Sequence, residues 1–175
     1  MTRIEIMNKT VPFVSEVEEF NRIFNKPNHY SPIIPNDKKL IDFVINFIKE
    51  ETQELEKAIE DRDIVEVLDG ICDLLYVAVG NATMVFGLKD KLQDAFAEVQ
   101  ASNLSKVCET EELAQQTVKV RSKEQGEPCH YHKVGEGVYI VYRTRDDKVM
   151  KSLNYFRPNL KQFFTDQELI NSKIL

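Results

Sequence analysis

Two neighbouring helical patterns in the middle of the chain carry carboxylates on sides that helix packing would normally make apolar. The first pattern covers residues 38–60 and the second covers residues 63–80. At about 100° per residue, Glu51 falls inside the apolar face of the first pattern, with Glu54 at its edge and Glu50 just beyond. An ordinary amphipathic helix would carry an apolar residue at position 51. These acids therefore need an explanation other than a solvated helix surface.

The second pattern is apolar around almost its whole circumference and predicts an interior helix over residues 64–86. Its acids Glu66, Asp69 and Asp73 share one narrow stripe. Glu66 lies near the helix start, where a negative charge is favourable because of the helix dipole, so we leave it out of the candidate site. Asp69 and Asp73 remain as candidates.

A bound cation would explain carboxylates that gather on apolar helix faces. Two carboxylates about 4 Å apart repel by roughly 4 kcal/mol at an effective dielectric of 20, and a hard divalent cation removes that cost. Ligation by carboxylate oxygens alone suits Mg²⁺, or Mn²⁺, better than Zn²⁺. Magnesium held by a few carboxylates keeps open positions for substrate phosphates. The acids therefore predict a magnesium site that works on phosphates.

Composition limits the class of protein. The chain has 175 residues, 42% of them hydrophobic, which suffices for one domain over residues 1–175. A net charge of −6 without a block of Lys and Arg argues against a nucleic-acid surface. Three cysteines without a framework spacing, and an N-terminus without a continuous apolar stretch, predict a reduced, cytoplasmic protein that is neither exported nor membrane-spanning.

The remaining patterns predict an all-α antiparallel helical bundle with a small C-terminal β-hairpin. Residues 26–36 hold three prolines and predict an extended connector over the bundle. Residues 137–144 alternate as a strand does, and Asp146 and Asp147 offer a turn to a second strand over residues 148–153. The predicted helical core covers residues 13–106, and the hairpin and tail cover residues 137–175. The predicted helices are residues 14–25, 37–60, 64–86 and 89–105, with residues 111–121 either helix or ordered loop and a short helix at the C-terminus.

Four sequence pieces resemble one superfamily. EETQEL, followed by VLDGICDLLYVAVGNA, is similar to the paired ExxE and ExxD helices of the MazG-type, phosphoribosyl-ATP pyrophosphohydrolase-like all-α NTP pyrophosphohydrolases. AEVQASNLSKV resembles their SN-x-SK segment, and KSLNYFRPNL resembles the NYF-x-P ending of a phage and bacterial branch. The resemblance implies Mg²⁺-dependent hydrolysis of a nucleoside triphosphate between the α and β phosphates, which gives a monophosphate and pyrophosphate.

The resemblance also implies which acids hold the metal. Glu51 and Glu54 stand at the ExxE positions, and Asp73 is the final acid of ExxD. Gly70 occupies the position of the other ExxD acid. Asp69 lies one residue earlier and one helical turn from Asp73, so we expect it to act as the substitute ligand.

The remaining predicted site residues act on water and on substrate. Glu50 is the spare carboxylate expected to orient the attacking water. Asn103 and Lys106 resemble the phosphate-contacting pair of the superfamily, and Lys151 and Tyr155 are candidates from the tail. We expect all four to contact the substrate.

The nearly all-apolar helix over residues 64–86 needs a cover that one short chain does not supply. A homodimer or homotetramer, most simply a twofold dimer that completes the bundle, is the expected remedy. Two alternatives for the function remain open. One is a narrower substrate, dUTP or phosphoribosyl-ATP, because the acids report metal and phosphate rather than the base. The other is a non-catalytic nucleotide-binding helical module, suggested by Gly70 in the second motif.

Overall fold

The computed structural model describes residues 13–172, and these are mostly helical with one small antiparallel sheet. They form two compact units, one over residues 13–92 and 164–172 and the other over residues 93–163. The α-helices are α1 (Phe13–Ile23), α2 (Lys38–Asp61), α3 (Ile64–Leu74), α4 (Ala82–Val85), α5 (Lys89–Leu104), α6 (Glu111–Gln125) and α7 (Asp166–Asn171). A π-helical segment covers Leu75–Asn81, a 3₁₀ turn covers Leu160–Phe163, and the strands are β1 (Cys129–Gly135) and β2 (Val138–Arg143).

Capping residues set the turn between the two acidic helices. The side chain of Asp37 accepts hydrogen bonds from two backbone N–H groups of the first turn of α2, as an N-cap does. Arg62 ends α2 in the left-handed conformation, with φ of 58°, and Asp63 caps α3 in the same way as Asp37 caps α2. Because only Arg62 and Asp63 separate the helices, α3 packs back along α2.

The helix predicted over residues 64–86 is present, but its middle is π-helical. The backbone changes to a π-helix directly after α3 and returns to α-helix at Ala82. The hydroxyl of Thr83 donates to the carbonyl oxygens of Val79 and Gly80, at 2.6 and 2.7 Å, and so gives partners to carbonyls in this segment. A Cβ added at Gly80 would lie 2.4 Å from Cγ2 of Val17, so glycine is needed here for the close packing of α1.

The proline-rich connector runs over the end of the apolar helix, as predicted. The N–H of His29 donates to the carbonyl of Met84 at 2.9 Å, and the N–H of Ile33 donates to that of Phe86 at 3.1 Å. Gly87 has a positive φ of 64° and lies against the backbone of Ser31, which leaves no space for a side chain. This glycine both ends the helix and admits the connector.

Helix α3 is not interior in the single chain, in line with the expectation that one chain does not supply its cover. Only Gly70 is buried in α3. Ile64, Val65, Leu68 and Ile71 are exposed, with Leu68 at 62%. The described residues cover α3 mainly with α2, which leaves the opposite apolar side uncovered.

The β-hairpin is present but lies earlier in the chain than predicted. Strand β2 falls within the predicted residues 137–144, yet its partner is β1, not residues 148–153. The predicted second strand forms an isolated bridge between Val149 and Tyr142, with backbone hydrogen bonds that join Arg143 to Lys148 and Met150 to Val141. Gly137, with φ of 63°, makes the tight turn from β1 to β2. The predicted turn at Asp146 and Asp147 is also present, with Asp147 at a φ of 51°.

The second unit has a small core of its own. Its buried residues come from α6, the two strands and the segments beside them: Cys108, Ala114, Cys129, Tyr139, Val141 and Met150. The backbone of Cys108 pairs with that of Tyr139 through two hydrogen bonds, at 2.8 and 2.9 Å. Helix α6, which the sequence left between helix and loop, therefore packs on the hairpin.

Within residues 13–172, no helix combines the length and the apolar character that a membrane span requires.

Candidate active site

Glu51 lies in the row of residues that α2 buries. Val44, Glu51 and Ala58 are spaced seven residues apart and are the buried residues of this helix. The Glu51 side chain is only 8% exposed, as the sequence pattern predicts. A carboxylate in this position is costly when it is charged, unless a positive group accompanies it.

The other predicted acids surround Glu51. Burial raises the pKa of Glu51 above its ordinary value, and the charges of Asp73 and Glu54 raise this pKa further, with smaller effects from Glu50 and Asp69. Asp73 is half-buried, whereas Glu50, Glu54 and Asp69 are exposed. Helices α2 and α3 therefore bring all five acids of the predicted site into one electrostatic cluster.

Basic side chains of residues 13–172 do not pair with this cluster. In the part of the chain that the structure describes, none of these five acids has a salt bridge to Lys, Arg or His. Elsewhere, acids of the same unit do have such partners, as with Glu18 and Lys89 at 2.7 Å. The cluster thus has an excess of negative charge beside an apolar helix interface.

The donor set fits a hard divalent cation. All the converging groups are carboxylates, which are the ligands that Mg²⁺ and Mn²⁺ prefer. Among residues 13–172, no three carboxylate, imidazole or thiol groups approach closely enough to hold one ion together. Ligation would therefore require the exposed acids Glu54 and Asp69 to turn toward Glu51 and Asp73 by side-chain rotation.

Gly70 is a packing position between the two acidic helices. A Cβ added there would lie 3.2 Å from both Cα and Cβ of Leu55, which is closer than most side-chain contacts. A side chain at position 70 would therefore require Leu55 to shift by a few tenths of an ångström. Asp69, the neighbouring residue, is exposed and near enough to raise the pKa of Glu51.

The four residues predicted to contact substrate lie together in the second unit. The ammonium of Lys106 donates to Oδ1 of Asn103 at 2.8 Å, and the ammonium of Lys151 lies 4.4 Å from the ring centroid of Tyr155. Hydrogen bonding to Ser102 lowers the pKa of the Tyr155 phenol, and the charges of Lys151 and Lys106 lower this pKa further. The arrangement places two ammonium groups beside one phenol, a suitable surface for an anionic ligand.

Sequence reasoning missed the residues that hold this cluster in place. Arg121 lies in α6, and its guanidinium donates to the backbone of Lys151 and Ser152. The sequence does place Arg121 on one helix face with Ala114 and Thr117, because these residues follow an i, i+3, i+7 spacing. That face is polar enough to be taken for a solvated one.

A surface cleft in the first unit contains none of the predicted residues. Its volume is about 320 Å³, and it is lined by residues of α1 and the connector: Ser15, Glu18, Glu19, Arg22, Asn28 and Tyr30. Two carboxylates in the lining make it unsuited to a triphosphate. The candidate site therefore rests on the acid cluster rather than on this cleft.

Comparison with known protein families gives a match over the part of the chain that contains the two acidic helices. Residues 17–103 match the family model of phosphoribosyl-ATP pyrophosphohydrolase, and this part of the chain belongs to the MazG-like superfamily of all-α NTP pyrophosphohydrolases. The match includes the whole of α2 and α3 and the position of Asn103. No curated protein sequence matches the chain. The family defines a pyrophosphohydrolase that acts on a nucleotide-like substrate.

Proposed function

We propose that the protein hydrolyses a nucleoside triphosphate at the α–β phosphate bond and needs Mg²⁺ to do so. The observation that carries this proposal is the buried Glu51, whose pKa is raised by burial and by four neighbouring acids that have no basic partner in residues 13–172. Such a cluster is suited to a divalent cation, and a cation held by carboxylates is suited to phosphates.

In this proposal Glu51, Glu54, Asp69 and Asp73 hold the metal. When bound, Mg²⁺ or Mn²⁺ would neutralise charge on the phosphate oxygens and lower the pKa of a bound water. Glu50, exposed beside Glu51, accepts the proton of the water that attacks phosphorus in line as pyrophosphate leaves. Its charge already acts on Glu51, which supports a position at the edge of the same cluster.

Binding of the substrate's anionic groups is proposed for the cluster in the second unit. Asn103 and Lys106 are joined by a hydrogen bond, and Lys151 lies over Tyr155. Two ammonium groups and an amide provide donors for phosphate oxygens, and the phenol provides a donor or a ring face for the nucleoside.

The proposal also includes a second copy of the chain. The exposed residues Ile64, Val65, Leu68 and Ile71 lie on α3, the helix that carries Asp69 and Asp73. A homodimer or homotetramer that covers this face would complete a MazG-like antiparallel bundle and place the acids in a drier environment. The cytoplasmic location remains a prediction from the cysteines.

A panel of nucleotides tests the proposed activity and its alternatives. Pyrophosphate and monophosphate release are measured with Mg²⁺ for the common ribo- and deoxyribonucleoside triphosphates, dUTP and phosphoribosyl-ATP. Release from several triphosphates supports a pyrophosphohydrolase with broad specificity. Release from dUTP or phosphoribosyl-ATP alone supports an enzyme with that narrower substrate. Nucleotide binding without turnover would instead identify the binding module, for which the missing motif acid at Gly70 is the specific reason.

A further inference from the structure

The segment over residues 151–156 carries Lys151 and Tyr155 yet has no regular secondary structure. Its first two carbonyls are held by one side chain of α6. Nε of Arg121 donates to the carbonyl of Lys151 at 2.8 Å, and Nη2 donates to that of Ser152 at 3.3 Å. The third nitrogen of the guanidinium is bound by Glu124 at 2.6 Å, so the group is fixed at both ends of its fork.

The middle of the segment is held by buried hydroxyls. The N–H of Leu153 donates to Oγ1 of Thr117 at 3.3 Å, and the N–H of Asn154 donates to Oγ of Ser152 at 3.2 Å. Thr117 and Ser152 are fully buried, which makes these bonds costly to break. The thiol of Cys108 contacts Thr117 as well, at 3.6 Å.

The far end is held by the C-terminal part of α5 and the residue after it. The hydroxyl of Ser102 donates to the carbonyl of Phe156 at 2.9 Å, and the N–H of Phe156 donates to Oγ of Ser105 at 3.2 Å. Side chains from two helices thus fix both ends of a six-residue segment. Irregular backbone held by this many directed bonds is preorganised, since its φ and ψ angles are set before a ligand arrives.

These bonds determine where the two ligand-facing side chains lie. Lys151 is exposed and Tyr155 is half-buried, so both can be reached from solvent. The ammonium of Lys151 remains 4.4 Å from the centroid of the Tyr155 ring because the backbone between them is held. Loss of the Arg121 fork would release the Lys151 end of the segment and separate the pair.

We propose that Arg121 is a positioning residue for substrate binding: by holding the carbonyls of Lys151 and Ser152, it fixes Lys151 against Tyr155 in a preformed anion-binding surface. This inference rests on the proposed function for the identity of the ligand. The proposal depends on the planar guanidinium of Arg121, which donates to two carbonyls at once. A lysine at position 121 keeps the charge but lacks this rigid pair of donors.

The test compares Arg121→Lys with Arg145→Lys, the same chemical change elsewhere in the second unit. Arg145 is 63% exposed and pairs with Glu127 on the surface. The first readout is the pKa of Tyr155 in nucleotide-free and metal-free protein, obtained by absorbance titration against Tyr155→Phe. We expect a pKa below the ordinary value of about 10 in wild type and in Arg145→Lys, and a return toward that value in Arg121→Lys.

The second readout is the interaction with substrate. We expect Arg121→Lys to raise KM three- to tenfold with kcat changed less, as the loss of one or two ordinary hydrogen bonds would do. Near-UV circular dichroism establishes that each variant is folded. If Arg121→Lys does not fold, Ser105→Ala takes its place, since it releases the same segment from the Phe156 end.

The outcomes separate this inference from the proposed function. An unchanged Tyr155 pKa together with an unchanged KM in folded Arg121→Lys overturns the positioning role. Absence of turnover in wild type overturns the enzymatic proposal instead, and the Tyr155 titration still tests the positioning of the segment because it needs neither nucleotide nor metal.

Discussion

Helix α3 and strand β2 both carry closely spaced apolar residues but leave them in different surroundings. Val141 of β2 is fully buried in the core of the second unit, whereas Val65 and Leu68 of α3 are exposed. The acidic residues of the two units also differ in whether they have a basic partner. Asp146 is paired with Arg143 at 2.6 Å, while Glu51 has four acidic neighbours and no salt bridge within residues 13–172. Val141 and Asp146 thus have partners within the second unit, whereas the apolar side of α3 and the carboxylate of Glu51 have no such partners within residues 13–172.

The largest expected effect is on catalysis. Asp73→Asn removes one proposed metal ligand, and we expect Mg²⁺-dependent pyrophosphate release to fall by roughly 10²–10³-fold, as for other groups that stabilise charge in a transition state. The matched control is Glu56→Gln, on the exposed side of α2, which should retain full activity. Equal activity in both variants would remove the acid cluster from the mechanism.

The next effect concerns the uncovered face of α3. Leu68→Glu places a charge on that face, and we expect the Kd for self-association to rise at least 100-fold, about 2.7 kcal/mol, by sedimentation velocity. Val134→Glu, an equally apolar exposed position on the hairpin, serves as the control and should leave association unchanged. A wild-type chain that stays monomeric at all concentrations would break the comparison, since α3 would then be stable without a partner.

A smaller effect on stability is expected when one valine of each unit is replaced by alanine. Val141→Ala removes two methyl groups from a filled core and should destabilise the protein by about 1–3 kcal/mol at every protein concentration. Val65→Ala should lower the unfolding midpoint by an amount that depends on concentration, because in the proposed oligomer its side chain contacts a second copy of the chain. Chemical denaturation at several concentrations distinguishes the two responses. Concentration-independent losses of equal size would contradict the difference between the units.

The smallest effect is in the pH dependence of metal-free protein. The pKa of Glu51 is raised by burial and by Asp73, so its charged form opposes folding above its ordinary pKa; Glu51→Gln should therefore stabilise the protein at pH 7 and lose that advantage below about pH 4. Hydrogen bonding to Arg143 lowers the pKa of Asp146 to about 2. Asp146→Asn should therefore destabilise at pH 7, with the effect declining as pH falls from about 4 toward 2. The same sign for both variants in thermal melts would contradict the pairing described.

Much of the fold could be predicted from sequence because caps and glycines mark the helix ends. Asp37 and Asp63 cap the two acidic helices, and Gly87 follows the end of the helix predicted over residues 64–86. The π-helical segment could not be predicted, since the sequence pattern indicates a helix and does not distinguish its type. Strand β1 was also missed because local sequence pattern does not determine it. Its residues alternate weakly, and its place is decided by the turn at Gly137 and by the core that Cys108 joins.

The residues of the candidate site also differ in whether the sequence alone could identify them. Glu51 was recognisable because a carboxylate interrupts a helical apolar face, which is a local property of the sequence. Arg121 was not recognised, since its role depends on hydrogen bonds to a segment 30 residues away. Incomplete cover of the helix over residues 64–86 was predicted, whereas the particular exposed residues were not, because periodicity shows that a face is apolar and does not show what covers it.

Binding of Mn²⁺ to nucleotide-free protein, followed by electron paramagnetic resonance, tests most directly whether the acids of α2 and α3 hold a divalent cation. We expect saturable binding in wild type and in Glu56→Gln, with at least tenfold weaker binding in Glu51→Gln and in Asp73→Asn. Excess Mg²⁺ should displace the bound Mn²⁺. Identical Mn²⁺ binding in all four proteins, or no saturable binding in wild type, would contradict the site described.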